Sequence, residues 1–202
     1  MPFDTIILII LFAISMIGSP GPANMAVMAA GAKYGYWRSV PFILGTLSGF
    51  FLVGIGVAAG IDTLFELFPA LRITFLILSA TYIFYLAYKI AFQKPGVSGA
   101  AAKTGYLAGL PIHPLNPKAW AMLISAYAQF SSDNLSGLFE FAIIQSIFQL
   151  TGIILNSAWC LIGVLLGRLV QSPIMLQRIN QGLAVLMLVV VALSVWQSNL
   201  LI

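Results

Sequence analysis

Long apolar runs cover most of this chain and leave it few ways to fold. They lie at about 5–32, 39–61, 71–92, 105–131, 138–167 and 175–198. Each run is long enough for a membrane-spanning helix, which needs about 20 apolar residues. The composition agrees, because 61% of the residues are hydrophobic and only 7% are charged, whereas soluble domains carry about 25% charged residues. The sequence therefore predicts an all-α integral membrane protein with six transmembrane helices in a lipid bilayer.

The few charged residues alternate between the two sides of the predicted membrane. The basic residues on one side are Lys33, Arg38, Lys89, Lys94, Lys103, Arg168 and Arg178. The opposite side carries Arg72 and all the acidic residues, which are Asp4, Asp62, Glu66, Asp133 and Glu140. Basic residues collect on the cytoplasmic side of membrane proteins, so both termini are predicted to lie outside. The net charge of +4 comes from so few residues that a nucleic-acid partner has no support.

A flexible linker at 93–104 divides the predicted spans into two groups of three. Residues 1–92 and 105–202 would enter the membrane from opposite sides, with the linker in the cytoplasm. Two inverted three-helix repeats within one membrane domain are the architecture of many secondary transporters. Small-residue faces, such as Gly163-x-x-x-Gly167 in the fifth span, predict close helix packing. A homodimer contact is the other interpretation of these glycines.

Two of the apolar runs contain helix-breaking motifs. These are Ser19-Pro20-Gly21-Pro22 in the first run and Asn116-Pro117-Lys118 in the fourth. Irregular backbone at membrane depth must be buried in protein or line a cavity, because lipid cannot satisfy its polar groups. Proline suits the first position of a helix, so half-helices are predicted at about 22–33 and 117–130, with Asn116 as the N-cap of the second. Free N–H groups at helix N-termini bind anions such as a carboxylate.

Lys118 lies about a dozen residues from either end of its predicted span, too deep for its side chain to reach water. An ionisable residue inside a membrane predicts a functional site, which here would bind an anion or exchange a proton. The alternative is a structural lysine that bonds carbonyl groups freed by the breaks. Asn24, two residues after Pro22, is placed to bond the substrate or the opposite break.

Other polar side chains inside the spans have two interpretations each. Gln145, Gln149 and Asn156 recur at spacings of four and seven residues on one face of the fifth span. Such a face either bonds a neighbouring helix or lines a substrate path. His113, just before the second break, either carries a proton, since imidazole titrates near neutral pH, or satisfies the break. His113 and Lys118 are thus the candidates for proton coupling.

Several functions are disfavoured by residues that the chain lacks. Since no acidic residue lies deep inside a predicted span, and Glu140 is only the third residue of the fifth, a cationic substrate would have no buried carboxylate partner. One Cys and one His argue against a thiol-redox pair, a metal site or a nucleophile–base pair. The chain is therefore predicted to be no enzyme, to bind no metal and to need no cofactor. A neutral zwitterionic amino acid is the expected substrate. The alternatives are an exporter of another small solute or ion and a non-transporting membrane subunit.

Three short motifs resemble signatures of a known transporter family. They are Gly18-Ser19-Pro20-Gly21-Pro22-Ala23-Asn24, Gly31-x-x-x-Gly35 and Leu115-Asn116-Pro117-Lys118-Ala119. Their spacing and the chain length are similar to those of the lysine-exporter (LysE/RhtB) family, and the resemblance covers essentially the whole chain. It implies a carrier of the bacterial inner membrane that exports amino acids and related metabolites by proton coupling. Several family members have an acidic residue early in the second span, where this chain has Leu44-Gly45-Thr46-Leu47-Ser48-Gly49. This departure argues against export of basic amino acids and removes an obvious proton carrier.

Together these features predict a secondary efflux carrier of neutral amino acids that works by alternating access. The two halves would rock about a site between the breaks, where Lys118 meets the substrate carboxylate. The predicted substrate-binding residues are Ser19, Pro20, Gly21, Pro22, Asn24, Asn116, Pro117, Lys118, Gln145 and Gln149.

Overall fold

Regular structure in the described part of this chain is α-helical throughout. The computed structural model describes residues 1–60, 63–64, 67–92, 105–130, 136–170 and 172–197. In chain order its helices are α1 (Phe3–Gly18), α2 (Pro22–Tyr34), α3 (Tyr36–Ala58), α4 (Pro69–Ala91), α5 (Tyr106–Gly109), α6 (Pro117–Phe130), α7 (Gly137–Leu169) and α8 (Pro173–Gln197). The predicted linker at 93–104 lies outside the described residues.

Four of these helices, α3, α4, α7 and α8, are each long and apolar enough to cross a membrane. Helices α1 and α2 pass the same test together, as one span bent by 62° at the first break. The described residues therefore contain four candidate spans, or five with the bent pair, and the all-helical prediction is confirmed. The count of six spans and the arrangement as two inverted repeats stay predictions.

The fourth predicted span, 105–131, is not one continuous helix. Its first part folds as the four-residue α5 followed by turns, and regular helix resumes only at Pro117. Proline has no N–H to donate and disfavours helical backbone in the residue before it. Pro111 and Pro114 bring both effects into this segment. The two half-helices predicted to follow the breaks are nevertheless confirmed, by α2 and α6.

Large apolar side chains cover the outside of the long helices. Ile77 and Phe84 of α4 are 61% and 64% exposed, and Ile154 of α7 is 68% exposed. Soluble proteins rarely expose contiguous apolar surface on this scale, because water would drive it into association. The surface is that of a protein surrounded by hydrocarbon.

Helix α7 packs along α1 and α2, and two glycines of α7 let α2 approach closely. A Cβ at Gly163 would collide with the carbonyl oxygen of Met28, and one at Gly167 would lie 2.5 Å from that of Ala32. Side chains larger than hydrogen at these positions would separate the two helices. The close-packing interpretation of this small-residue face is confirmed within one chain.

Two buried apolar clusters fill the interior, and the breaks lie where one gives way to the other. The first cluster is built from α1, α3, α6 and α7, and the second from α2, α3, α4, α7 and α8. Ala13 and Ala23, on either side of the first break, belong to different clusters, and so do Ile112 and Ala119 around the second. Cys160 is buried in the second cluster, as expected of a small apolar side chain. The polar backbone of both breaks therefore occupies the layer between two apolar regions.

Gly163→Leu is expected to destabilise the protein strongly, because the added side chain must push α7 away from α2. Overpacking of a closed interface costs about 1–3 kcal/mol. Gly182→Leu in α8 is the matched control, since nothing lies within 4 Å of where its Cβ would be. Thermal unfolding of both purified variants in detergent measures the difference. Equal unfolding temperatures would contradict the packing described here.

Candidate functional site at the two helix breaks

The first break is closed by a side chain from the helix that follows it. Helix α1 ends at Gly18, and α2 starts at Pro22 after three residues of non-helical backbone. The Asn24 amide donates to the carbonyl oxygens of Ile17 at 2.8 Å and Ser19 at 3.0 Å. Both carbonyls belong to the end of α1, where a helix lacks intrahelical donors. Asn24 thus bonds its own break, and not the opposite break as one of its two predicted roles required.

The second break has the predicted N-cap. The side-chain oxygen of Asn116 accepts a hydrogen bond of 3.1 Å from the backbone N–H of Lys118. Asn116 is buried, and Pro117 takes the first helical position, where no N–H is needed. The N-cap prediction is confirmed, and the cap holds Lys118 at the start of α6.

Lys118 joins the two breaks. Its ammonium donates to the Ser19 carbonyl oxygen at 3.0 Å, to the Ser19 hydroxyl at 2.8 Å and to the Pro20 carbonyl oxygen at 3.3 Å. An ammonium has three N–H donors, and these three acceptors match them in number. A Cβ on Gly21 would lie 3.2 Å from the Lys118 nitrogen, so glycine leaves room for the ammonium. The structure therefore brings together residues that are about 100 positions apart in the sequence.

The charge of Lys118 has neutral partners in these bonds. The ammonium lies at the carbonyl end of α1, where the helix dipole is negative, and not only beside the positive ends of α2 and α6. The expectation that this lysine needs an anion or must give up its proton is therefore too narrow. The contacts of Lys118 are those of the alternative interpretation, a structural lysine, because carbonyl groups freed by the first break accept its hydrogen bonds. Neutral acceptors leave the positive charge available to a carboxylate, which makes a stronger, charge-assisted bond.

The junction of the two breaks is partly accessible. Pro20 is exposed, while Ser19 and Lys118 are half-buried. By contrast Asn24 and Asn116, which hold the backbone on either side, are only 5% and 2% exposed. The geometry is a buried frame that presents one ammonium and two backbone carbonyls at its accessible edge.

The two glutamines of α7 have different environments. Gln149 donates to the Leu47 carbonyl oxygen of α3 at 3.0 Å. This bond agrees with the interpretation of Gln149 as a residue that bonds a neighbouring helix. Gln145, one turn earlier, is 2% exposed and packs against Gly54. Neither amide atom of Gln145 has a hydrogen-bond partner among the described residues. Each glutamine thus contacts α3, and neither makes a hydrogen bond to a residue of the two breaks among the described residues.

His113 and Trp120 complete the surroundings of the second break. The His113 ring meets the Phe50 ring edge-on with centroids 5.2 Å apart, and its buried Nδ1 has no partner within the described chain. Trp120 donates its indole N–H to the Pro114 carbonyl oxygen at 3.0 Å. Sequence reasoning missed Trp120. The sequence did carry a signal for it, because Trp120 follows Pro117 by one turn. An indole N–H inside a protein needs an acceptor, and a broken helix leaves backbone carbonyl groups free to accept.

Comparison with known proteins identifies the family. A sequence model of the LysE type translocator matches residues 14–198. The chain belongs to the LysE family of translocators. Members of this family are transporters and not enzymes, so the predicted absence of enzymatic activity and the predicted family are both confirmed. With its apolar helices, this LysE family member is a multi-pass membrane protein.

Two curated relatives carry the name cysteine/O-acetylserine efflux protein. The protein of Salmonella typhimurium is 26% identical over 151 residues, which cover 74% of this chain and 77% of the relative. The protein of Klebsiella pneumoniae is 26% identical over 152 residues, covering 75% and 78%. No solved structure matches this LysE family chain.

Asn116→Ala is expected to lower the free energy of unfolding by about 1 kcal/mol, because it removes the acceptor that caps α6. Asn116→Ser is the matched control, since a serine hydroxyl oxygen can accept the same hydrogen bond. Thermal unfolding of both variants measures the cap. Should the serine variant be no more stable than the alanine variant, the hydrogen bond from the Lys118 N–H does not stabilise the site.

Proposed function

We propose that this protein exports neutral amino acids, or related small zwitterions, across the cytoplasmic membrane of a bacterium. The substrate would bind where the two helix breaks meet, and the two halves of the protein would rock about that site to alternate access. One observation carries the proposal: the Lys118 ammonium of the second break bonds Ser19 and Pro20 of the first. The basic side of the membrane would be cytoplasmic, with both termini outside.

A zwitterion can exchange with the bonds that now hold Lys118. Its carboxylate would take the ammonium, and its own ammonium would take the carbonyl oxygens of Ser19 and Pro20. The two carbonyl oxygens then keep an ammonium donor, and the lysine exchanges neutral acceptors for one of opposite charge. A cation would leave Lys118 facing a like charge, and an anion without an amine would leave the two carbonyls without donors. The junction thus favours a solute that carries both groups.

The named substrates of the relatives agree with this chemistry. Cysteine and O-acetylserine, in the names of the Salmonella and Klebsiella proteins, are both neutral α-amino acids. We extend the class of neutral α-amino acids to this chain. No acidic residue of the sequence lies deep within a predicted span, since Glu140 is in the first turn of α7, so the class of basic amino acids is less well matched.

The packing of the helices supports alternating access by two related halves. Helices α1 and α2 pack along α7, while α5 and α6 pack along α3. Exchanging the first three predicted spans with the last three would exchange these two sets of contacts. The contact between α4 and α8 would map onto itself. This is the pattern that an inverted repeat produces. Since Ser19 lies in one half and Lys118 in the other, rocking would break and remake their hydrogen bonds.

Proton coupling is part of the proposal, with His113 and Lys118 as the carriers. His113 lies just before the second break, and its Nδ1 is buried without a partner in the described residues. Lys118 releases its three acceptors when it turns to a carboxylate. Either group can therefore change its protonation as the substrate enters or leaves, which would link substrate movement to a proton gradient.

Lys118→Ala is expected to reduce export of a neutral amino acid from cells by about tenfold or more, because one charge-assisted hydrogen bond contributes about 1.5–3 kcal/mol. Lys89→Ala is the matched control, since Lys89 lies near the end of α4 and its ammonium faces the Tyr85 ring. The measurement is efflux of radiolabelled amino acid at equal membrane expression.

Ligand-induced stabilisation separates a substrate contact from a structural one. A folded Lys118→Ala protein should have lost the rise in unfolding temperature that neutral amino acids produce in the wild type, whatever its own stability. Wild-type export, or an unchanged ligand-induced shift, in Lys118→Ala would overturn the assignment of the carboxylate to this lysine.

A further inference from the structure

A cleft lies far from the helix breaks, between the start of α3 and the last turns of α7. Its volume is about 700 Å³, within the range of small-molecule sites. It is lined by Tyr34, Gly35, Tyr36, Trp37, Arg38, Leu161, Val164, Leu165 and Arg168. These residues come from both halves of the chain, and none belongs to the proposed substrate site.

The walls of the cleft are held in place by contacts behind it. The hydroxyl groups of Tyr36 and Ser157 share a hydrogen bond of 3.0 Å, which ties the first residue of α3 to α7. The same part of α7 packs tightly on α2 through Gly163 and Gly167, where any larger residue would meet backbone carbonyls. These contacts hold the two walls together in the arrangement of the helices described here.

The lining combines two positive charges with an apolar wall. Arg38 lies in the first turn of α3 and Arg168 in the last turn of α7, and both are exposed. No lining residue is acidic. The wall between the arginines is made of Leu161, Val164 and Leu165. A soluble anion would use the charges and leave this apolar surface uncovered.

Aromatic residues place the cleft at the boundary between lipid and water. Trp37 is 83% exposed, and the tyrosines on either side of Gly35 also line the cleft. Tryptophan and tyrosine concentrate at the level of the lipid headgroups, where one end of the ring is apolar and the other is wet. Both arginines also lie on the side of the membrane that is rich in basic residues.

We propose that this cleft binds one anionic phospholipid. The phosphate headgroup would lie between Arg38 and Arg168, and an acyl chain would cover the apolar wall of α7. Basic pockets between transmembrane helices bind anionic headgroups in this way, with about 1 kcal/mol from each arginine near the surface. Because Arg38 and Arg168 belong to different predicted halves, the lipid would bridge them and stabilise the arrangement in which the two arginines share one cleft. The lipid site does not depend on the proposed transport function.

The test is a binding titration of the purified full-length protein in detergent with fluorescent phosphatidylglycerol, with phosphatidylcholine of the same chains as the zwitterionic reference. Phosphatidylglycerol should bind more tightly, and Arg38→Gln and Arg168→Gln should each weaken it by about fivefold. Arg178→Gln in α8 is the matched control, because it removes the same charge from the same predicted side but lies outside the cleft.

Two results would overturn the proposal. Wild-type affinity for phosphatidylglycerol in both Arg38→Gln and Arg168→Gln would show that the lipid binds elsewhere. Competition by free glycerol phosphate at the same concentration as the lipid would show a site for soluble anions. Unfolding temperatures of the lipid-free variants identify any loss of binding that arises from misfolding. If a glutamine variant misfolds, Arg38→Lys and Arg168→Lys replace it, because they keep the positive charge.

Discussion

Polar backbone at a helix break must find hydrogen-bond partners inside the protein, since neither lipid nor an apolar core supplies them. Here the breaks of two helices satisfy each other. Asn24 holds the end of α1, Asn116 caps α6, and Lys118 crosses from one break to the other. The two apolar clusters meet at this junction, and the close packing of α7 on α2 sets its position. Every other feature of the proposed site depends on this mutual satisfaction.

Such a junction is suited to transport because its bonds can be exchanged. The partners of Lys118 are neutral carbonyl and hydroxyl groups, which a carboxylate of opposite charge can replace. A zwitterion offers the lysine a carboxylate and offers the carbonyls an ammonium. Occupied and empty states then satisfy the same polar groups, so the breaks need not be left open to lipid at any stage. A helix pair closed by backbone bonds alone would lack this reversibility.

The local parts of this site were predictable from sequence, and the long-range part was not. Proline at the first helical position and asparagine before it predicted both half-helices and the cap at Asn116, because these effects act within one turn. The bond from Lys118 to Ser19 depends on how α6 lies against α1, which no local pattern specifies. The turns around Pro111 and Pro114 take the place of regular helix in the first part of the fourth predicted span, because that span was predicted from its apolar composition without weighing these two prolines. Periodicity likewise could not separate Gln149, which bonds α3, from Gln145, which has no partner within the described residues.

Counterflow in proteoliposomes tests most directly whether the junction recognises both ends of a zwitterion. Vesicles loaded with a neutral amino acid would take up the labelled form in competition with its methyl ester, which lacks the carboxylate, or its N-acetyl derivative, which lacks the ammonium. The account predicts that each blocked derivative competes at least about tenfold less well than the parent amino acid, because each leaves one set of partners unsatisfied. Competition by either derivative as strong as that of the parent would contradict it.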